Sequence, residues 1–339
     1  MSGRETDTTH EAATEAEPPS DPSAPSPPAV IPGRRRSILG LVAFAIVPGA
    51  LLLPFMLPLA VLAGLGPILG VFLALIVGPV VSAAIGPVLL ARRIDRLPAA
   101  DLDDRPSAFI EHRVDDLAAT VGVDPPTVWI VRRNAANVAV ADGHRGAHLV
   151  VSTRLLSLPQ DDRDAALRHA LVRLERREAA VTTALLPAAV VVETLALIAT
   201  LLVGRRKDRG ETDGRVNRIH GYEPERERIP GPVAVLAGVL LWLVILPAWI
   251  PFVLADRLYV AEGRRAADAA VSRAGTTERA GLANAVSFAR DAAGAADWPP
   301  LLDRLSLVPM ADEATGRVRG TTRQESRIRL ARLRSKRPV

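Results

Sequence analysis

Cysteine is absent from the 339 residues, which excludes disulfides and thiolate metal sites while leaving the redox compartment open. Aromatic residues make up only 4% of the chain, and lysine occurs only at Lys207 and Lys336 although Lys and Arg together number 42. Arginine therefore carries almost all of the positive charge. The most telling lack is local: from Ser37 to Ala91, 55 consecutive positions contain no Asp, Glu, Lys or Arg. No soluble domain needs such a run. A helix crossing a hydrocarbon core of about 30 Å takes about 20 apolar residues, so the stretch holds two spans.

Hydrophobic residues are 49% of the chain, and their clustering sets the expected class. Gly64-Leu65-Gly66-Pro67 is the natural turn between two spanning helices near 38–62 and 67–91, since Pro67 cannot donate to a continuing helix. A third apolar run, about 179–203, carries only Glu193, and a fourth, about 229–255, carries no charge. Pro48, Pro54, Pro58, Pro79 and Pro87 fall inside these runs and are expected to kink the helices without breaking them. Glu193 reads either as an ion or substrate contact inside the bundle or as a packed glutamate.

The first apolar run starts too late and runs too long for a signal peptide. Residues 1–36 are expected to be a disordered, acidic and Pro-rich N-terminal tail. Arg34 to Arg36 before the first span, and Arg92, Arg93 and Arg96 after the second, place both flanks in the cytoplasm. By parity the loop 204–228 lies outside, against its eight Lys or Arg and six acids. The expected organisation is transmembrane helices 1 and 2 over 37–91, half of a soluble domain over 92–178, and helices 3 and 4 with their basic loop over 179–255. The second half of the soluble domain follows over 256–312, then a basic C-terminal tail over 313–339. Within the soluble part, 107–121, 160–178, 256–273 and 276–293 read as helices, and 127–131 and 148–152 as strands, the latter after an Asp142-Gly143 turn signal.

One stretch carries chemistry. Leu155-Leu156 and Asp161-Asp162 lead into Ala165-Ala166-Leu167-Arg168-His169-Ala170-Leu171-Val172-Arg173, beside a transmembrane hairpin. This order resembles the HtpX-like membrane zinc metallopeptidases, relatives of the CAAX prenyl proteases, whose helix carries H-E-x-x-H. Asn137 resembles the asparagine of the family's N-A-x-A motif. Anchoring the family's third-ligand helix on Ala267-Asp268 puts Arg264 where its glutamate belongs. The resemblance implies a mainly α, polytopic membrane protein with about four transmembrane helices and a small α+β zincin-like cytoplasmic domain.

The resemblance also exposes what has changed. Residues four apart on a helix point about 40° apart, so two histidines at that spacing reach one zinc while the intervening glutamate activates water. Here the first ligand survives as His169, the general base has become Ala170, and the other ligand positions hold Arg173 and Arg264. A guanidinium offers no lone pair and stays charged, so no catalytic residue set is intact and no zinc is expected, although the family uses it. Glu262 is out of register for a rescue, and on the helix expected over 160–178 neither Glu175 nor Glu178 shares the face of His169. His144 and His148 read as solvated surface histidines. Downstream, Thr321-Thr322 stand where the family has a His-Pro pair.

These residues lead to the expectation of a membrane-embedded, proteolytically inactive pseudopeptidase that binds membrane-protein clients or regulates an active partner. An active membrane metallopeptidase with a non-standard ligand set is the alternative. A further reading makes Arg173 and Arg264 an anion site, against one in which they only pair with nearby acids. Besides the lipid bilayer, the expected partners include anionic lipid at the basic tail. Nucleic acid is not expected, given the lack of aromatics there.

Overall fold

Long charge-free runs make long helices, and the computed structural model contains them. It describes residues 34–100, 104–203, 231–292, 298–309, 311–312, 317–318 and 322–335. Contacts divide the chain into Met1–Arg34 and Arg35–Val339, and only the second unit is described beyond its boundary. The acidic N-terminal segment before Arg34, the basic loop 204–228 and Thr321 lie outside the described residues.

The first two spans are α1 (Arg34–Leu62) and α2 (Pro67–Ile94). After α3 (Asp104–Val121) come three strands, β1 (Thr127–Val131), β2 (Val138–Gly143) and β3 (Gly146–Ser152). Helices α4 (Gln160–Glu175), α5 (Glu178–Leu202) and α6 (Pro232–Ala255) follow. A π-helical turn, Asp256–Val260, carries α6 directly into α7 (Ala261–Ala274), after which come α8 (Thr276–Ala292), a 3-10 turn at Pro300–Leu305, the short pair β4 (Ala311–Asp312) and β5 (Arg317–Val318), and α9 (Thr322–Arg334). Four of these helical stretches are long and apolar enough to cross a membrane: Arg36–Leu62, Pro67–Ile94, Glu178–Leu202 and Pro232–Ala274.

The bundle packs through small residues. On α2 the buried positions Gly70, Ala74, Gly78, Ser82, Gly86, Leu90 and Ile94 recur every fourth residue, forming a ridge on which neighbouring backbones close in. A Cβ at Gly78 would lie 2.5 Å from the Gly49 nitrogen of α1, and one at Gly86 would run into the Thr183 carbonyl of α5. Away from this ridge α2 exposes Ile68, Phe72, Ile76 and Val80, and α6 exposes Val233, Leu236, Leu240 and Leu243. Apolar side chains turned outward along whole helices suit lipid rather than water.

The soluble half is built around a three-stranded sheet ordered β1-β3-β2, with β1 parallel and β2 antiparallel to β3. Strand alternation splits its side chains between two cores. Val138, Val140, Leu149 and Val151 join Leu167, Leu171, Leu282 and Val286 from α4 and α8, while Val131, Ala139, Ala141 and Val150 join Leu90, Leu186, Trp298 and Leu302. The second core welds the sheet to α2 and α5.

Three expectations need correction. Strand β2 adds to the two strands expected, since its run of small and β-branched residues lacks clear alternation of polarity. The helix expected to run unbroken over 160–178 stops at Glu175, since Arg177 adopts φ 55 and starts α5 at a new angle. Finally, α9 falls in the segment expected to be a basic tail, yet it buries Arg329, Leu330 and Leu333, the two leucines packing into the core shared by α4 and α8.

Candidate functional site

Helix α4 sets His169 and Arg173 one turn apart, and α7 sets Arg264 and Asp268 one turn apart on the facing surface. All four are buried, and His169 meets Asp268 and the Arg264 backbone. His169 Nε2 lies 3.3 Å from Asp268 Oδ1 and 3.4 Å from the Arg264 carbonyl oxygen. Ala170 is buried in the core formed with the sheet and α8.

The guanidiniums are spent on the chain's own acceptors. Arg173 donates to Glu178 Oε1 from Nη2 and Nε at 2.6 and 3.0 Å, to the Ser306 carbonyl at 3.2 Å and to the Arg304 carbonyl at 2.8 Å. Arg264 donates to the Ser306 carbonyl at 3.3 Å and to the Asp303 carbonyl at 2.8 Å. Both arginines thus grip one segment, 303–306. That segment is held elsewhere too: Trp298 Nε1 donates to Ser306 Oγ at 2.8 Å, and the Leu307 N–H donates to the Val138 carbonyl at 2.8 Å. Asn137 Nδ2 donates to the Val308 carbonyl at 2.7 Å. Residues 306–308 therefore cover the start of β2, whose edge would otherwise present unpaired backbone groups.

Asp268 and Arg329 complete the cluster, and sequence reasoning missed their pairing. Arg329 of α9 donates from Nε and Nη2 to the two Asp268 oxygens at 2.8 Å each, and from Nη1 to the Leu307 carbonyl at 2.7 Å. Such a bidentate pair fixes geometry as well as charge. Burial, the largest influence, pushes the pKa of His169 below the ordinary histidine value. Asp268 opposes this shift, while Arg329 and Arg173 add to it. With the ring neutral and Nε2–H directed at Asp268, the lone pair of Nδ1 is buried with no hydrogen-bond partner among the described residues.

The other candidates separate. Glu175 is exposed and Glu262 pairs with Arg265 at 2.8 Å. Glu178 reaches Arg173 only because the chain bends at Arg177, a geometry a continuous helix would forbid. His144 approaches the Ala84 carbonyl at 3.3 Å, while His148 Nδ1 accepts from Trp129 Nε1 at 3.3 Å, so the two do not share a site. Glu193 is tied to Arg304 at 2.8 Å, and the same guanidinium lies 3.3 Å from Asp256 and 4.9 Å from the Phe252 ring centroid. This ion pair joins the 300–305 turn to the bundle. The sequence signalled only the carboxylate.

Zinc fits this constellation poorly. A catalytic zinc uses three protein ligands and an open position, whereas positions 170, 173 and 264 hold a methyl group and two guanidiniums already bonded to carbonyls and a carboxylate, and the one carboxylate beside His169, Asp268, is held through both oxygens by Arg329. Among the described residues, no group of three or more His, Asp or Glu could hold a metal ion. Compared with family models, curated proteins and solved structures, the chain matches none.

Proposed function

We propose that this chain is a membrane-embedded, proteolytically silent relative of the HtpX-like peptidases, one that binds membrane-protein clients or regulates an active partner. The observation that carries the reading is the locking of Arg173 and Arg264 onto the 303–306 carbonyls at the positions where the resembling family places metal ligands. The same bonding favours internal arginine locks over an anion site. Four apolar helices support residence in the bilayer. Exposed Arg36, Arg92, Arg93, Arg96 and Arg257 at one end of the bundle favour a cytoplasmic soluble domain.

The test uses the full chain purified in detergent. Elemental analysis is expected to find zinc far below one equivalent, and casein or a model membrane substrate is expected to stay uncut after zinc is supplied. Zinc near one equivalent, with cleavage abolished by His169→Ala, would establish the alternative: an active metallopeptidase with another ligand set.

A further inference from the structure

The hairpin joining β2 to β3 turns at Gly143-His144-Arg145-Gly146, and His144, Arg145 and Gly146 are exposed. This tip is fastened to the apolar helices rather than to the rest of the soluble half. His144 Nε2 sits 3.3 Å from the Ala84 carbonyl of α2, and the Asp142 N–H reaches Thr183 Oγ1 of α5 at 3.4 Å. The two helices are locked together at that level, where Ser82 Oγ donates to the Ala184 carbonyl at 2.9 Å.

Helix rise converts these contacts into a depth. From Pro67 to Ala84 α2 climbs about 26 Å, and from Thr183 to Leu202 α5 climbs about 28 Å, both close to a hydrocarbon core of about 30 Å. Extending α2 to Arg92 adds about 12 Å more. The added turns are not lipid-facing all round, for Leu90 and Ile94 are buried against Val131, Val150 and Trp298 of the soluble half. A hydrocarbon core of about 30 Å counted from Pro67 would end near Ala84 to Gly86, level with the hairpin tip, with exposed Ile85, Val88 and Leu89 at its edge.

We infer that the β2–β3 hairpin tip is a membrane-contact element, seated among phospholipid headgroups with Arg145 directed to their phosphates. The inference rests on the bundle crossing a bilayer, as proposed above. A guanidinium suits a phosphate oxygen through charge-assisted hydrogen bonds, and an anionic surface adds to the attraction. The soluble half is thus held against the bilayer by a loop as well as by its connecting helices.

The cysteine-free chain makes the test direct. Single cysteines at Arg145, at lipid-facing Ile76 of α2, and at exposed Thr277 in the first turn of α8, beyond an α7 that runs about 20 Å from the π turn, are labelled with one fluorophore. Each full-length protein is reconstituted into phosphatidylcholine–phosphatidylglycerol vesicles with or without brominated lipid. The Arg145 and Ile76 probes should lose most of their emission, and the Thr277 probe should keep it. A quenched Ile76 probe beside an unquenched Arg145 probe overturns the hairpin contact and spares the spanning bundle; an unquenched Ile76 probe overturns both. For the charge, Arg145→Glu should lose the extra thermal protection that phosphatidylglycerol gives over phosphatidylcholine, and unchanged protection removes Arg145 from the contact.

Discussion

Replacing Arg173 with methionine keeps an unbranched side chain in the same space and removes only the guanidinium. Glu178, itself buried, would lose both bonds to its Oε1, and the carbonyls of Arg304 and Ser306 would lose a donor. Breaking a buried ion pair from one side costs about 3–5 kcal/mol, because the remaining charge is left uncompensated. At roughly 2–4 °C per kcal/mol, the apparent melting temperature should fall by roughly 6–20 °C. Replacing both partners, Arg173→Met with Glu178→Met, should recover much of that loss, since a well-packed apolar pair often matches a buried ionic one. The assay is thermal unfolding in one detergent, followed by tryptophan emission, to which Trp298 contributes from its hydrogen bond to Ser306. If Arg173→Met melts with wild type, or the double variant loses as much as the two singles added together, the guanidinium is not the lock described.

Three further outcomes follow from the burial of His169 and the packing around two glycines. His169 has a pKa below the usual value of about 6.5, so as pH falls through about 6.5 the unfolded chain takes up a proton that the folded chain still refuses. This part of the stability is complete above that pH and is lost progressively toward the lower folded pKa. His169→Gln, which can still donate toward Asp268, should show a shallower decline between about pH 6.5 and 5 in denaturation scans; parallel pH curves would contradict a neutral buried imidazole. On α2, Gly78→Leu forces a side chain into the backbone at Pro48 and Gly49 and should cost about 1–3 kcal/mol or more, read as a lowered melting temperature in micelles. Gly231→Ala, where a Cβ meets nothing within 4 Å, should stay within about 0.5 kcal/mol of wild type.

The apolar helices and two of the strands are legible in the sequence because each depends on local information. A run of residues without charge is visible along one dimension, and the side chains at 170, 173 and 264 are fixed by identity: neither a methyl group nor a guanidinium acquires a lone pair through folding. The readable signals weakened wherever a residue's meaning depended on a distant partner. Glu178 looked remote from the site because a continuous helix turns it away, and only the left-handed backbone at Arg177 brings it to Arg173. The basic residues of α9 read locally as a tail for anionic lipid, whereas burial of Leu330 and Leu333 draws Arg329 onto Asp268.

The sequence by itself determined that four helices suit lipid and that positions 170, 173 and 264 carry no metal-binding lone pair, since hydrophobic length and donor chemistry belong to the residues themselves. Tertiary structure alone decided what surrounds His169, how Glu193 pairs with Arg304, and at what level the β2–β3 hairpin meets the helices. Those outcomes depend on charges and carbonyls brought together from far apart in the chain, and only packing sets which of many possible partners each one meets.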